Sequence, residues 1–373
     1  MSKFQSPKSK VQSRKPDPQS HANQTSRDAN KVRAFFASVQ RKFGARPFRP
    51  HRIFAGAHAQ TLAAYAWPRR GRLSTTVVKD EKRLFDVDHG VQVLAQCRWQ
   101  EDRNEHGSLV IWHGMEGSTD SIYMWSTADK AFRAGFNVIR VNYRSCGNTE
   151  HLTPTIYHGG MSTDLAAVID ELIREGLKRI YPIGFSLGGN MVLKLAAEYG
   201  GNAPAEVIAT CVVSPSVDLG ASSRLICKAS NWLYHRNFVR SMKARIRKKN
   251  LQYPELYDVT KLDQVKTILD FDELFTARAH GFADAEDYYS KASSVRVVEQ
   301  IRIPTLIIHA EDDPFIPFEP LRESSFTQNP FLLMVKTERG GHVAFVGEAS
   351  DTEDRFWAEN RAIEFCRLSE DYF

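Results

Sequence analysis

The chain has 373 residues, of which 42% are hydrophobic and 25% are charged, a composition typical of a globular protein. No apolar run approaches the roughly 20 residues that a membrane-spanning helix needs, and the five cysteines are scattered without a C-x-x-C pair, which argues against a disulfide framework or a zinc site. We therefore expect a soluble protein in a reducing compartment, which favours the cytoplasm.

Much of the formal net charge of +6 comes from the N-terminal tail. Residues 1–33 hold eight Lys and Arg against two Asp, and Ser, Gln, Asn and Pro fill most of the rest. Such a segment buries too little apolar surface to offset the entropy lost on ordering, so we predict a disordered basic tail. It lacks the apolar region of a secretory signal, and its lysines and prolines are not typical of an organellar transit peptide.

Residues 34–73 are predicted to form a wrapping arm that includes a short helix at 34–41. Residues 75–79, 84–87 and 91–99 then show strand patterns with a turn at 88–90. Alternation of this kind predicts an antiparallel meander with one face in water.

The rest of the chain alternates short apolar strands with helices, which is typical of a parallel sheet covered on both faces. The β pattern disappears between residues 218 and 297, so we predict a helical cap there, between core segments 74–217 and 298–373. The predicted strands are 108–112, 137–141, 179–183, 207–213, 304–309 and 331–335, and the predicted helices are 122–133, 162–175, 187–199, 225–249, 261–280 and 352–367.

Pro182 conflicts with a central strand, because proline has no N–H for the hydrogen-bond ladder and is usually confined to edge strands or strand ends. We expect either a bulge at this position or strand pairing that begins late.

A G-x-S-x-G sequence lies between the strand at 179–183 and the helix at 187–199, with Ser186 between Gly184 and Gly188. In a nucleophile elbow a strand turns sharply into a helix and holds a serine hydroxyl at the apex. The positions two before and two after that serine must lack bulk. The five letters alone are a weak signal, but the predicted strand and helix make Ser186 our candidate nucleophile.

A serine hydroxyl needs a base to activate it, and the base needs an orienting acid. In this topology the acid and then the histidine follow the serine, each at the end of a later strand. Asp313 lies in an Asp-Pro-x-x-Pro loop after the strand at 304–309, and Asp312 is its competitor. His342 follows two glycines after the next strand. The order Ser186, Asp313, His342 therefore predicts a catalytic triad.

The oxyanion of an acyl-transfer reaction needs preorganised N–H donors. We predict the N–H groups of Leu187, directly after the nucleophile, and of Met115, in the loop after the strand at 108–112. We expect His113 to hold that loop in shape rather than to act as a second base, and Glu116 to be a loop-surface or supporting carboxylate. No metal or organic cofactor is expected.

Residues 143–146 follow a neighbouring strand. Tyr143, Arg144 and Ser145 are predicted to line the mouth of the site. Cys146 is not expected to be a nucleophile, because it lacks an elbow.

The chain carries several longer motifs, which are His-Ala-Gln-Thr at 58–61, His-Gly-Met-Glu-Gly-Ser at 113–118, Gly-Phe-Ser-Leu-Gly-Gly-Asn at 184–190, 271–282, Tyr-Tyr at 288–289, 309–315 and Gly-Gly-His-Val at 340–343. These motifs resemble those of the YheT-like α/β-hydrolases, a family related to the eukaryotic lipase-like ABHD group. The resemblance covers the chain from about residue 45 to the end and implies an α/β-hydrolase fold with a mostly parallel central sheet, helices on both faces and a helical cap insertion. It also implies a serine esterase or lipase-like hydrolase that uses the triad above.

The function that these residues favour is hydrolysis of a small-molecule or lipid carboxylic ester through an acyl-enzyme. Transfer of the acyl group to an alcohol would use the same residues, and a non-catalytic ligand-binding protein on the same fold is a further alternative. The basic residues at 243–249, in the cap, favour either peripheral contact with an anionic membrane or a solvated basic face. No nucleic-acid partner is expected, because a recognition motif is lacking.

Overall fold

The computed structural model describes residues 18–67, 80–348, 350 and 352–373. Within these residues eight strands form one sheet in the order β1-β2-β4-β3-β5-β6-β7-β8. The predicted strand at 75–79 and most of the predicted tail, residues 1–17, lie outside the described residues.

The strands are β1 (Glu81–Asp88), β2 (Val91–Arg98), β3 (Ser108–Trp112), β4 (Asn137–Val141), β5 (Ile180–Phe185), β6 (Thr210–Val213), β7 (Thr305–Ala310) and β8 (Leu332–Thr337). The helices before β6 are α1 (Pro18–Gly44), α2 (Ala57–Ala66), α3 (Ile122–Arg133), α4 (Ser162–Arg174) and α5 (Leu187–Tyr199). The helices after β6 are α6 (Leu219–Ile226), α7 (Trp232–Gln252), α8 (Ile268–Phe271), α9 (Ala277–Ala279), α10 (Ala285–Ala292), α11 (Ser324–Thr327) and α12 (Trp357–Glu370).

The sheet is mostly parallel, as predicted. Strands β4, β3, β5, β6, β7 and β8 pair in parallel, whereas β2 runs antiparallel to both of its neighbours, β1 and β4. Every residue of β3 to β7 is buried, while β2 alternates buried and half-buried positions. The strands whose sequences are continuously apolar are therefore the ones that helices cover on both faces. Because parallel strands end at one edge, the loops after β3, β5, β7 and β8 meet there.

Pro182 fits the sheet because pairing on the β6 side of β5 is interrupted at a bulge, one of the two arrangements expected there. It pairs with Val110 of β3, but the ladder to β6 starts only at Ile183. Ile180 uses both its N–H and its carbonyl towards residues 206–208 on the β6 side. Ile180 pairs with Val207 and Ile183 with Cys211, so the β6 side has one residue more between these two pairs and the register shifts. Since backbone direction alternates along a strand, the nitrogen of Pro182 faces that same side, in the gap between the two pairs.

Helix α1 corrects the predicted boundary of the disordered tail at residue 33. The helix begins at Pro18 and continues to Gly44, well beyond the short helix predicted at 34–41. The ring of Phe35 lies 5.5 Å from that of Phe365 and 5.1 Å from those of Tyr372 and Phe373. The average composition of this segment is basic and polar, and it concealed a stripe of apolar residues at helical spacing. Its buried members are Val32, Phe35, Phe36, Val39 and Phe43.

The chain between β6 and β7 contains helices α6 to α10, here called the helical insertion. A π-helical turn, Asp272–Thr276, separates α8 from α9. The insertion has an apolar cluster that includes Met242, Ile246 and Phe271 together with Phe315 and Ile316, two residues of the loop after β7. The insertion therefore packs onto one of the loops at the edge where the parallel strands end. None of the described helices combines the length and apolar character needed to cross a bilayer.

We expect Phe35→Ala to lower the free energy of unfolding by about 3–5 kcal/mol, because it opens a void among the rings of Phe365, Tyr372 and Phe373. Urea unfolding followed by circular dichroism measures the change. Leu84→Ala is the control, since Leu84 is 44% exposed on β1 and should cost only about 0.5 kcal/mol. A loss for Phe35→Ala no larger than the control would show that α1 is not part of the core.

Candidate active site

Strand β5 turns into helix α5 at Ser186, whose backbone has φ 54° and ψ −116°. L-residues rarely adopt this conformation, so the turn stores strain. A Cβ on Gly184 would lie 2.3 Å from the carbonyl oxygen of Gly188. A Cβ on Gly188 would lie 2.7 Å from the carbonyl oxygens of Trp112 and His113. Both positions therefore require glycine, and the strand, turn and helix predicted around Ser186 are present.

Ser186, Asp313 and His342 meet at the ends of β5, β7 and β8. His342 Nε2 lies 3.0 Å from Ser186 Oγ. On the other side of the ring, His342 Nδ1 lies 2.8 Å from Asp313 Oδ2 and 3.1 Å from Oδ1. The Asp313 side chain is fully buried, whereas that of His342 keeps 11% of its surface exposed. The imidazole thus bridges the serine hydroxyl and a carboxylate.

The neighbouring carboxylates Asp312 and Asp313 have different partners. Asp313 Oδ1 also accepts hydrogen bonds from the N–H groups of Phe315, at 2.8 Å, and Ile316, at 3.0 Å. Asp312 Oδ1 instead accepts from the Gly341 N–H at 2.9 Å, and burial raises the pKa of Asp312. Asp313 thus contacts the imidazole, whereas Asp312 contacts the backbone of the loop after β8. This loop carries His342 and is here called the histidine loop.

Helix α2 braces the histidine loop from outside the sheet. Thr61 Oγ1 accepts a hydrogen bond from the His342 N–H at 3.0 Å. Gln60 Oε1 accepts from the Val346 N–H at 2.7 Å, and its Nε2 donates to the Val346 carbonyl at 2.9 Å. Gly341 has φ 59°, and a Cβ there would lie 2.6 Å from the carbonyl oxygen of Ala57. The sequence marked residues 58–61 only as a family motif and did not reveal this contact.

The loop after β3 faces the serine across a short gap. A Cβ on Gly114 would lie 3.1 Å from the Cβ of Ser186. The Gly114 N–H donates to Tyr123 Oη at 2.8 Å, and the Glu116 N–H donates to Tyr157 Oη at 3.0 Å. Neither bond uses the N–H of Met115, which lies between them. The loop is thus anchored on both sides of the predicted oxyanion donor.

The second predicted donor, Leu187, is the first residue of α5. The first four N–H groups of a helix lack partners within the helix, and the helix dipole adds partial positive charge there. Leu187 and Met115 both line the cleft at Ser186. Both positions suit donors to an oxygen bound beside the serine.

His113 is fully buried beneath this loop. Its Nδ1 lies 2.7 Å from the Gly114 carbonyl, and its Nε2 accepts from the Tyr143 N–H at 3.3 Å. Burial lowers the pKa of His113 to about 4, so the ring is neutral near neutral pH. These contacts support the predicted role of His113 in holding the loop in shape.

Glu116 is not a surface residue, which corrects one of the two predictions made for it. Its side chain is only 7% exposed and pairs with the guanidinium of Arg245 on α7. The carboxylate also accepts hydrogen bonds from Ser241 Oγ at 2.6 Å and from Tyr157 Oη at 3.0 Å. Sequence reasoning missed Ser241 and Arg245. Their spacing of one helical turn was visible, but nothing in it showed that this face of α7 points inward.

Residues 143–146 point into the core and do not line the cleft, contrary to the prediction. Arg144 donates to both carboxylate oxygens of the buried Asp164, at 2.6 and 2.7 Å. Tyr143 Oη donates to the His113 carbonyl at 3.0 Å. Cys146 is buried, and burial raises the pKa of its thiol to about 12, which disfavours the thiolate.

The cleft beside Ser186 is narrow, with a volume of about 70 Å³. Its walls come from the sheet edge, from α2 and from the helical insertion, and they are mostly apolar. Among the described residues there is no group of three or more His, Cys, Asp or Glu side chains placed to hold a metal ion. Besides Ser186, His342 and the oxyanion positions, the lining includes Tyr65, Tyr123, Ser216, Leu219, Ser222, Ser223, Ile226, Phe238, Phe315, Ile316 and Val343.

Comparison with known proteins assigns this chain to a family. A model of the alpha/beta hydrolase family matches residues 109–357, more than half of the chain. YheT of Escherichia coli (strain K12) is 34% identical over 319 residues, which cover 84% of this chain and 91% of YheT. The medium-chain fatty acid ethyl ester synthase/esterase 2 of Saccharomyces cerevisiae (strain ATCC 204508 / S288c) is 28% identical, over 80% of this chain and 74% of that protein.

Among solved structures, Est1E from Butyrivibrio proteoclasticus has a TM-score of 0.50 and 15% identity, covering 78% of this chain and 99% of its own. At that identity the likeness concerns the fold alone. The family match, by contrast, spans β3 to the start of α12 and includes the loops that carry Ser186, Asp313 and His342. The resemblance inferred from the sequence motifs is confirmed. The chain belongs to the α/β-hydrolase family, as a YheT-like member.

Proposed function

We propose that the protein hydrolyses carboxylic esters through a Ser-His-Asp triad and an acyl-enzyme intermediate. Membership of the family supports an esterase or lipase-like hydrolase. The observation that carries the proposal is the bridging imidazole of His342, which lies 3.0 Å from Ser186 Oγ and 2.8 Å from Asp313 Oδ2. A serine hydroxyl in contact with an oriented base is the arrangement that activates it as a nucleophile.

In the proposed reaction, His342 Nε2 takes the proton of Ser186 as the hydroxyl oxygen attacks the ester carbonyl. Asp313 holds the proton on Nδ1 and stabilises the imidazolium that forms. The oxyanion accepts hydrogen bonds from the N–H groups of Met115 and Leu187. His342 then gives its proton to the departing alkoxide, and the same ring activates the water that cleaves the acyl-enzyme. This sequence uses no metal or organic cofactor.

The lining of the cleft favours an apolar acyl group. Leu219, Ile226 and Phe238 of the helical insertion contribute to its walls, and Tyr65 of α2 closes another side. Burial of an apolar chain against such walls is favourable by about 25 cal/mol per Å². We therefore propose small-molecule or lipid esters as the substrate class.

Transfer of the acyl group to an alcohol is the second candidate. The yeast relative carries both synthase and esterase in its name, and the acyl-enzyme proposed here has water and alcohols as alternative acceptors. A non-catalytic ligand-binding role is disfavoured, because the serine, imidazole and carboxylate have kept the contacts that catalysis needs. Product analysis with water and ethanol in competition separates hydrolysis from transfer.

We expect Ser186→Ala to lower kcat for p-nitrophenyl butyrate by about 10⁴-fold or more, since the variant has no nucleophile. A fluorophosphonate probe should label the wild-type protein and not the variant. Ser216→Ala is the matched control, because Ser216 lines the same cleft and has no proposed chemical role. Turnover by Ser186→Ala at the wild-type rate would contradict the proposal.

The adjacent carboxylates give a second, internally controlled prediction. Asp313→Asn should lower kcat by about 10³- to 10⁴-fold, because an amide no longer stabilises the correct imidazole tautomer. Asp312→Asn should lower kcat by less than about 10-fold, since Asp312 bonds only to the loop backbone. Steady-state kinetics of the two purified variants provides the comparison. The reverse order of effects would make Asp312 the acid.

We further propose that α7 contacts an anionic membrane, but not through all of the basic residues from 243 to 249. Arg245 and Lys249 are buried, and Lys249 Nζ donates to the Glu150 carbonyl at 3.0 Å. The accessible surface is instead formed by exposed arginines beside Trp232 and Leu233, which are 55% and 68% exposed. Exposed apolar and basic side chains on one helix favour the interface of an anionic bilayer.

The arginines of this surface are Arg236, Arg240 and Arg247, and none of them pairs with a carboxylate of the described residues. Their replacement by Glu should reduce co-sedimentation with phosphatidylglycerol vesicles by more than about 10-fold, because each basic residue near an anionic surface contributes about 1 kcal/mol to the binding free energy. The control carries the same charge change at three exposed positions outside α7, Lys82, Arg174 and Lys178. Equal binding by both variants, or preference for a polynucleotide over vesicles, would contradict the proposal.

A further inference from the structure

Glu116 occupies a strained position directly after Met115, the proposed oxyanion donor. Its backbone φ is 57°, in the left-handed region that disfavours residues with a side chain. Tertiary contacts must therefore hold the residue in place. The neighbouring Gly114 is held from the core by Tyr123 of α3. The other side of the loop is held from the helical insertion.

Both oxygens of the Glu116 carboxylate are bound by α7. Arg245 pairs with Oε1, and Ser241 Oγ donates to Oε2 at 2.6 Å. Ser241 and Arg245 are four residues apart and so share one face of the helix. Tyr157 completes the cluster: its hydroxyl donates to Oε1 and accepts from the Glu116 N–H, each at 3.0 Å. The guanidinium lies over the Tyr157 ring, 4.6 Å from its centroid.

The ion pair is buried on both sides, with 6% of the Arg245 side chain and 7% of the Glu116 side chain exposed. Burial alone would lower the pKa of Arg245, but Glu116 together with Tyr157 and Cys146 outweighs this and raises the pKa, so the guanidinium stays charged. Removal of one partner from such a pair leaves an uncompensated buried charge. Without Arg245 the loop would keep the hydrogen bonds from Ser241 and Tyr157 but lose the charged contact that helps to hold Glu116 in its strained conformation.

We propose that Arg245 is a positioning residue that sets the Met115 N–H through Glu116, so that the helical insertion helps to assemble the oxyanion site as well as to shape the cleft. This inference rests on the proposed esterase function. Arg245 is absent from the cleft lining, so it acts only through the loop. Loss of one oxyanion donor costs about 10²- to 10³-fold in kcat, and a displacement of about 1 Å can cost about 10²-fold.

Arg245→Met should lower kcat for p-nitrophenyl butyrate by about 10²-fold and leave KM within about 3-fold of wild type. Glu116→Gln, which keeps the shape of the side chain, should lower kcat in the same way. The double variant should be no slower than Arg245→Met alone, because the two residues act as one unit. Lys266→Met, at an exposed position of the insertion, is the matched control and should keep the wild-type kcat.

A trifluoromethyl ketone inhibitor distinguishes positioning from a general structural role. It forms a tetrahedral adduct with the serine and places an oxyanion in the same site, so its Ki should rise by the factor by which kcat/KM falls. Circular dichroism and Tm identify variants that fail to fold, in which case Glu116→Gln carries the test. A folded Arg245→Met or Glu116→Gln with wild-type kcat, or with a change in KM alone, would overturn the inference. Failure of the proposed function would differ, because the wild-type protein itself would then be inactive and unlabelled by fluorophosphonate.

Discussion

The left-handed backbone of Ser186 is the constraint on which the site depends. At φ 54° the residue can project its hydroxyl from the end of β5 only if the chain around it closes tightly. Gly184 and Gly188 permit this, since a Cβ on either would lie within 2.7 Å of a backbone oxygen. The parallel sheet supplies the rigidity that holds such a strained turn. It also brings the ends of β7 and β8, with their loops, to the same edge.

Three parts of the chain fix the loops around that serine. The loop after β7 binds the imidazole through Asp313, whose carboxylate is itself held by two backbone N–H groups. Helix α2 holds the histidine loop through Gln60 and Thr61. Helix α7 holds the loop after β3 through Glu116. The N-terminal arm and the helical insertion are thus structural components of the site and not coverings laid over a finished one.

The sequence predicted the parts of the site that follow from local sterics and strand order. The glycines flanking Ser186 are a steric requirement of the turn, and Asp313 and His342 follow from their places at strand ends. Prediction from the sequence failed where a contact joins segments that are distant along the chain. The bond from His342 to Thr61 spans 281 residues of chain, and no local pattern announces it. Helix α7 has basic residues on every side, so its sequence did not show that Arg245 points inward. The apolar stripe of α1 was concealed by the polar residues around it.

In the proposed reaction, the acyl group of the substrate forms a covalent bond to Ser186. Rapid acid quench during turnover of p-nitrophenyl butyrate, followed by digestion and peptide mass mapping, measures this directly. We expect a butyryl adduct on the peptide that contains Ser186, and this adduct should accumulate whenever deacylation is the slower step. Turnover with the adduct on another residue would contradict this expectation. So would a burst of p-nitrophenol without an adduct on Ser186.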